Sequence, residues 1–250
     1  MKRALVVGAT RGLGLELTKG LLARGWEVSA TSRKDAPALA ELGCKVASGV
    51  ELLEDKCGDV LVAGTSGVFD QVYMNAGYFY TGETFDVLNF EEERKMFEIC
   101  AIAPLRIIQA LVKGGRLVSG SKIILITSEG GSIGLRTEEE GGGHYGHHMS
   151  KAAENMMGRL LAWDLKPRGI AVVMVHPGFL RTEMTEHYSH LYDKFGAVPA
   201  SEAVAPILKA GDDVTLETTG RFIAPLGADG LGLGASALPK GFKPFDDIPW

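Results

Sequence analysis

The sequence has no apolar run of the length that a membrane-spanning helix needs, which is about 20 residues. Its first apolar stretch, residues 4–9, is short, and Arg11 follows it closely. A secretory signal would instead have a charged start, a longer apolar centre and a cleavage site of small residues. We therefore expect a cytoplasmic protein without a membrane partner.

Cysteine is scarce, and its spacing argues against two kinds of site. The three cysteines, Cys44, Cys57 and Cys100, show neither the ligand spacing of a zinc site nor an even-numbered disulfide pattern. They are typical of reduced thiols in a cytoplasmic protein.

Positive charge is not in excess either. Lys and Arg number 26 against 31 Asp and Glu, which gives a formal net charge of −5, and the basic residues form no cluster. We therefore expect no nucleic-acid partner, because such binding needs a concentrated basic surface. With 250 residues, 46% of them hydrophobic, the chain is long enough for one well-buried α/β domain and no second large one.

What the sequence does contain is a glycine-rich turn near its start. A short apolar run at residues 4–7 precedes the turn, and leucines spaced for one face of a helix follow it at residues 15–22. At such a strand-to-helix turn, glycines let the backbone approach a pyrophosphate, and the free N–H groups of the helix face the phosphates. The sequence therefore predicts a nucleotide site made by Gly8, Thr10, Arg11, Gly12, Leu13 and Gly14.

Strand-like apolar runs alternate with helical patterns along the rest of the chain. Strands are predicted at residues 4–7, 27–32, 45–50, 69–74, 122–127, 171–176 and 220–224, and long helices at residues 90–112 and 147–165. This alternation is typical of a doubly wound parallel sheet. We predict a single Rossmann-type α/β domain with a central parallel sheet over residues 1–226. A Gly- and Pro-rich tail at residues 227–250 follows, and its aromatic side chains indicate that it docks on a protein surface.

The residues after the second predicted strand favour one form of nicotinamide cofactor. Arg33 and Lys34 follow the strand directly, and no carboxylate stands there. In dinucleotide folds an acidic residue at this point binds the ribose hydroxyls of NAD, whereas an arginine accommodates the phosphate of NADP. The sequence therefore favours NADP(H), unless Arg33 and Lys34 are only the solvated end of a strand.

Three further motifs resemble those of the short-chain dehydrogenase/reductase family. They are Asn75-Ala76-Gly77 after the fourth predicted strand, Ser-Lys-Ala-Ala at residues 150–153 and the Pro-Gly loop at residues 177–182. With the Gly-x-x-x-Gly-x-Gly turn they span residues 1–224, and their style is similar to the small carbonyl-reductase branch. The resemblance implies further cofactor contacts from Asn75, Ala76, Gly77, Lys151, Pro177, Gly178 and Thr182.

In this family four residues carry the chemistry. A serine and a tyrosine hold the substrate oxygen, a lysine four residues after the tyrosine lowers the tyrosine pKa and binds the ribose, and an asparagine holds a water. Ser128 and Lys151 match the serine and the lysine. His147 stands where the tyrosine is expected, and Cys100 where the asparagine is expected. The resemblance therefore implies catalytic roles for Ser128, His147 and Lys151.

Helix geometry favours His147 over the nearby Tyr145 as the partner of Lys151. Residues four apart lie about 40° apart on a helix, so His147 and Lys151 share a face, whereas Tyr145 is about 240° away and precedes the predicted helix. Tyr145 reaches the site only if the glycine- and glutamate-rich loop at residues 129–146 bends it inward. Because the Lys151 ammonium disfavours a protonated imidazole, we expect a neutral His147 that acts as a base or hydrogen-bond donor.

These observations leave three functional hypotheses. The first is an NADP(H)-dependent oxidoreductase that acts on a carbonyl or alcohol. The second is a non-redox isomerase, lyase or cyclase that uses His147 as a base, and the third is a nucleotide-binding regulatory protein without turnover. No carboxylate or cysteine stands at helical spacing to complete a metal site with His147, so no metal is predicted.

The resemblance also implies a homodimer or homotetramer, because the family associates through its two long helices. Apolar side chains on the predicted helices 90–112 and 147–165 provide the surface, namely Ala101, Ile102, Leu105, Ile108, Met156, Leu160 and Trp163. Residues 183–198 correspond to the family's substrate lid, unless they form an ordinary amphipathic helix.

Overall fold

The computed structural model describes residues 1–250, apart from the side chain of Leu233, and its centre is a β-sheet. The described strands are β1 (Arg3–Val7), β2 (Glu27–Thr31), β3 (Lys45–Ala47), β4 (Gln71–Met74), β5 (Lys122–Ile126), β6 (Ala171–Val175), β7 (Leu180–Arg181), β8 (Val198–Pro199) and β9 (Arg221–Ile223). Seven of them form a parallel sheet in the order β3-β2-β1-β4-β5-β6-β9, and β7 pairs with β8. The predicted doubly wound α/β fold is confirmed.

Helices cover both faces of the sheet. They are α1 (Gly12–Ala23), α2 (Pro37–Glu41), α3 (Cys57–Ala63), α4 (Phe90–Phe97), α5 (Ala103–Lys113), α6 (Tyr145–Leu165) and α7 (Ala200–Asp213). On one face α1 and α7 enclose an apolar core, and on the other α3, α5 and α6 enclose a second one. Strand β5 is therefore covered from both sides, which explains its continuous apolar run. None of the described helices has the length and apolar character needed to cross a bilayer.

A helix spans the predicted residues 90–112, but one of its turns is irregular. It consists of α4 and α5, joined by a wider π-helical segment at Glu98–Ile102. Pro104, in the first turn of α5, has no N–H to donate, and the irregular turn comes directly before it. The predicted helix is therefore present but irregular beside Pro104, and Cys100 lies in π-helical backbone.

The helix predicted at residues 147–165 begins earlier, at Tyr145. His144 precedes it in left-handed backbone, with a φ of 50°, and its side chain does not cap the helix. Because an ordinary capping residue is missing at this position, nothing in the local sequence marks the start. The loop predicted at residues 129–146 is correspondingly shorter, and it opens with a 3₁₀ turn at Glu129–Gly131.

The tail after residue 226 packs on the chain's own body. Ile248 is buried, and its backbone N–H donates to the carbonyl of Phe222 in β9 over 2.8 Å. The carbonyl of Trp250 accepts the N–H of Gly134 over 2.8 Å. The end of the tail therefore holds the segment that follows β5, the strand that delivers Ser128.

Much of the apolar surface predicted for self-association is exposed. Five of its side chains have exposed fractions between 43% and 61%, namely Ile102, Leu105, Met156, Leu160 and Trp163. The prediction was wrong for Ala101 and Ile108, because these side chains are only 8% and 1% exposed and pack inside the chain. The exposed group still forms an apolar surface on the π-helical segment, α5 and α6.

We expect a homodimer or homotetramer in solution, because covering this surface removes apolar area from water. Light scattering at micromolar concentration is the measurement. Leu160→Glu places a charge on the surface and should produce monomers, whereas Leu42→Glu, at an exposed leucine outside this surface, should not. A stable monomer of the unaltered chain would contradict the expectation.

Candidate active site

A cavity of about 860 Å³ opens at the edge of the sheet where its strands end. It lies where the strand order reverses, beside the ends of β1 and β4, and the residues after β5 and β6 form further walls. The segment at residues 182–195 contributes to its outer wall. Ligands of open α/β sheets bind at this kind of position, and the volume is in the usual range of ligand cavities.

Most residues predicted to bind a cofactor line this cavity. They are Gly8, Thr10, Arg11, Gly12, Leu13, Arg33, Asn75, Ala76, Gly77, Lys151, Pro177, Gly178 and Thr182. Gly14 is not among the lining residues and instead packs behind the turn. The predicted cofactor residues therefore converge from the ends of four strands on one place.

Gly14 shapes the turn from behind. A Cβ at this position would stand 2.0 Å from the carbonyl oxygen of Gly8, so a larger residue does not fit. The same carbonyl accepts an N–H from the side chain of Asn75 over 2.8 Å. A Cβ on Gly8, whose φ is +85°, would stand 2.6 Å from Cα of Ala76. The glycine turn and the Asn75-Ala76-Gly77 motif are therefore the two sides of one close backbone contact.

Two arginines at the cavity differ in their partners. Arg11 forms an ion pair with Glu183 over 2.6 Å, and the two side chains are 65% and 66% exposed. Pairs as exposed as this contribute little to stability, so Arg11 exchanges partners at small cost. Arg33 is exposed after β2, and within the described part of the chain no carboxylate pairs with it. The end of β2 thus presents an unmatched guanidinium to the cavity.

Ser128 and His147 meet at the floor of the cavity. Ser128 follows β5, and its hydroxyl oxygen lies 3.4 Å from Nε2 of His147 on α6. The same oxygen accepts the backbone N–H of Gly130 over 3.0 Å, which orients the serine side chain. The structure therefore brings the two groups together, with polar atoms placed to contact one substrate oxygen.

His147 is held in its neutral form. Burial lowers its pKa well below the ordinary value, and the positive charge of Lys151 lowers it further. Its other ring nitrogen, Nδ1, is buried and has no hydrogen-bond partner among the described residues. A charged imidazole needs an acceptor at both nitrogens, so these surroundings favour the neutral ring.

Lys151 keeps its charge because a carboxylate that the motifs did not indicate lies beside it. Its ammonium lies 2.7 Å from an oxygen of Glu154 and 3.1 Å from the carbonyl oxygen of Ile126. Burial acts to lower the pKa of Lys151, but the Glu154 carboxylate outweighs burial and raises it above its usual value. In the sequence, this ion pair could have been predicted from the i, i+3 spacing of the lysine and the glutamate on α6.

Cys100 and Tyr145 stand apart from the Ser128–His147 pair. Cys100 is buried, and burial raises the pKa of its thiol, so the thiol stays protonated. Tyr145 lines the cavity as the first residue of α6. Among the described residues it has no hydrogen bond to Ser128 or His147. The structure thus gives no hydrogen-bonding support to Tyr145 as a substitute for the family's tyrosine.

Four aromatic side chains that the motifs did not indicate surround His147, and we call Phe79, His144, His148 and Tyr188 the aromatic wall. The Phe79 ring lies 4.6 Å from that of His147 and stacks on Tyr188 at 5.9 Å. His144 meets Tyr188 edge-on, with ring centres 5.9 Å apart. Burial lowers the pKa of both wall histidines, so the wall is uncharged at neutral pH.

Arg136 lies next to the aromatic wall, where protein groups match its charge. It forms an ion pair with Glu129 and donates to Nε2 of His148 over 3.1 Å. Nδ1 of His148 lies 3.0 Å from the carbonyl of His144, so this nitrogen carries the proton. Burial raises the pKa of Glu129 to about 6, although Arg136 opposes the shift. The described histidines, cysteines and acidic residues form no cluster that could hold a metal ion.

Known proteins share both the sequence pattern and the fold. The short chain dehydrogenase family matches residues 2–192. The chain belongs to this family. Among its relatives is 1-hydroxy-2-glutathionyl-2-methyl-3-butene dehydrogenase of Rhodococcus sp. (strain AD45), which is 34% identical over 227 residues, 89% of this chain and 96% of that protein.

Two further proteins are similar to this short chain dehydrogenase, one in sequence and one in fold. The C-signal protein of Myxococcus xanthus is 32% identical over 157 residues, 63% of this chain and 89% of that protein. The NADPH-bound carbonyl reductase from chicken fatty liver superposes with a TM-score of 0.78 at 26% identity, over 90% of this chain and 96% of that chain. The predicted family and the oxidoreductase class are therefore confirmed.

Proposed function

We propose that this short chain dehydrogenase is an NADP(H)-dependent oxidoreductase that interconverts an alcohol and a carbonyl compound, with His147 as the proton-transferring group. The observation that carries the proposal is the 3.4 Å contact between Oγ of Ser128 and Nε2 of His147 on the cavity floor. The NADPH held by the chicken carbonyl reductase supports the choice of cofactor.

The residues of the cavity fit a dinucleotide. Helix α1 begins at the glycine turn without a side-chain cap, so its free N–H groups are available to a pyrophosphate. Gly12 lines the cavity, and a Cβ there would stand 3.7 Å from Thr182, so the turn and the Pro-Gly loop face each other across this part of the cavity. Arg33, which has no carboxylate partner among the described residues, suits the additional phosphate of NADP. When bound, the nicotinamide accepts or supplies the hydride.

The neutral state of His147 favours the oxidation of an alcohol. Its imidazole accepts the hydroxyl proton of the alcohol while Ser128 holds the oxygen and the hydride leaves the carbon. Carbonyl reduction needs the same imidazole in its protonated form, which burial and the charge of Lys151 disfavour by lowering its pKa. The Rhodococcus relative is a dehydrogenase named for a hydroxy compound, which supports the same direction.

Two other parts of the cavity have roles in this proposal. Lys151, which lines the cavity next to His147, holds the ribose, as the family resemblance implies. The aromatic wall packs on an apolar, uncharged part of the substrate, because its rings are neutral and Glu129 already matches the charge of Arg136.

A non-redox reaction on the same scaffold is the second candidate. At neutral pH an imidazole, with an ordinary pKa of about 6.5, is mostly unprotonated and can accept a proton, whereas a phenol, with an ordinary pKa of about 10, is still protonated. His147 therefore also suits an isomerase, lyase or cyclase that removes a proton from carbon. Product formation with unchanged cofactor absorbance would support this reaction class, and tight cofactor binding without any product would support a regulatory protein.

The first prediction concerns the cofactor. Arg33→Ala should remove at least a tenfold preference for NADP(H) over NAD(H), because a lost arginine–phosphate contact is worth more than about 1.4 kcal/mol. Calorimetric titration with both cofactors is the measurement. Lys34→Ala is the matched control, because this lysine has the same charge but does not line the cavity. Equal affinities of the unaltered protein for both cofactors would contradict the assignment.

The second prediction concerns His147. His147→Ala should lower kcat about 10² to 10⁴-fold, the usual worth of a positioned proton transfer, with little change in cofactor affinity. In the unaltered enzyme, alcohol oxidation should fall only as the pH drops below about 6.5, since the imidazole then protonates and stops being a base. His190→Ala, at an exposed histidine outside the cavity, is the control.

The substitution His147→Tyr sharpens this experiment. If the enzyme is built around base chemistry, the protonated phenol should abolish the native reaction. If histidine is merely tolerated in a reductase, the tyrosine should raise carbonyl reduction. Full native activity in both His147 variants would remove His147 from the mechanism and make Tyr145 the leading candidate.

A further inference from the structure

Two buried carboxyl groups have no part in the proposed proton transfer. Glu83, in the loop after β4, is 3% exposed, and Glu93, on α4, is 8% exposed. The Oε1 atom of each is buried and has no hydrogen-bond partner within the described residues. Leaving buried carboxylate oxygens unpaired is costly, so two such atoms in one region call for a structural reason.

Glu83 reaches the first turn of the helix that carries His147. Its Oε2 atom accepts the backbone N–H of Gly146 over 3.2 Å, and Gly146 directly precedes His147. Helix α6 has no side-chain cap of its own and no acidic residue in its first turn. A carboxylate at a helix N-terminus pairs with a free N–H and is stabilised by the helix dipole. Glu83 therefore supplies from a distant loop the cap that His144 does not provide.

Glu93 approaches the same turn from α4. A Cβ on Gly146 would stand 3.1 Å from Cγ of Glu93 and 2.1 Å from Cε of Met96, so only glycine lets the two helices come this close. Burial and the charge of the nearby Glu83 raise the pKa of Glu93, whereas Arg94 opposes the shift. A carboxyl that keeps its proton donates to a neighbouring carboxylate.

We infer that Glu83 and Glu93 share one proton as a carboxyl–carboxylate pair, and that this pair fixes the first turn of α6 and thereby positions His147. The pair satisfies the N–H of Gly146 through Glu83, and Glu93 supplies the proton that lets both carboxyl groups remain buried. Both are positioning residues for the reaction, and their catalytic effect rests on the proposed function of His147.

Loss of the shared proton should weaken the fold. The folded protein holds the Glu93 proton above the ordinary carboxyl pKa of 4.5, so it binds more protons than the unfolded chain does. Stability from this group is therefore present at low pH and declines as the pH rises from 4.5 through the raised pKa. The charged groups that face Glu93 are Glu83, which adds repulsion after ionisation, and Arg94, which offsets part of it.

Glu93→Gln is the main test, because a glutamine amide donates to Glu83 at every pH and cannot ionise. Thermal unfolding followed from acid to weakly alkaline pH should show the Tm of this variant rising relative to the unaltered protein as the pH increases. Glu91→Gln, at an exposed glutamate on the same helix, is the control and should leave the pH dependence unchanged. Identical pH slopes in Glu93→Gln and the unaltered protein would overturn the shared proton.

The positioning role of Glu83 is tested separately, by the turnover number and the cofactor affinity of Glu83 variants. Glu83→Ala should lower kcat about tenfold through displacement of His147 while the cofactor Kd stays the same, and Glu83→Gln, which still accepts the N–H of Gly146, should restore most of kcat. Unchanged kcat in Glu83→Ala would overturn the positioning role. The unfolding measurement needs no substrate, so it tests the carboxyl pair even if the proposed alcohol oxidation fails.

Discussion

Helix α6 places ionisable side chains in a buried layer beneath the cavity, where each charge needs a partner. Lys151 and Glu154 meet this requirement as an ion pair of 2.7 Å. His147 lacks such a partner and stays neutral, because a buried charge without compensation is far more costly than a neutral ring. The chemistry proposed for the cavity follows from this difference, since an imidazole that rests unprotonated has a free nitrogen to accept a proton.

We propose that His147, at the position where the family resemblance implies a tyrosine, changes how the site handles protons. A phenol next to a lysine is a proton donor whose acidity the lysine increases, whereas the same lysine makes an imidazole harder to protonate. The pairing of Lys151 with Glu154 keeps the ammonium in place on the same helix as His147. In this proposal the scaffold of the family is retained, and the resting enzyme presents an unprotonated imidazole that can accept a proton but holds none to donate.

Local patterns were sufficient to predict the sheet and the cofactor side of the cavity. Apolar runs mark the strands, and the glycines of the first turn and of Asn75-Ala76-Gly77 are required by their mutual contact. The start of α6 was not predictable in this way, because its cap is Glu83, which lies 63 residues before Gly146. The partner of Lys151 had a local signal in Glu154, but the burial that gives this pair its importance appears only in the folded chain.

The proposed base chemistry depends on the protonation state of His147, which can be measured in the free protein. Nitrogen NMR of the labelled protein, with His147→Gln used to assign the ring signals, follows that state as the pH is lowered without any substrate. We expect an imidazole that remains neutral through the ordinary histidine pKa of about 6.5 and protonates only well below it. A titration of His147 at or above about 6.5 would contradict the claim that burial and Lys151 hold it as a base.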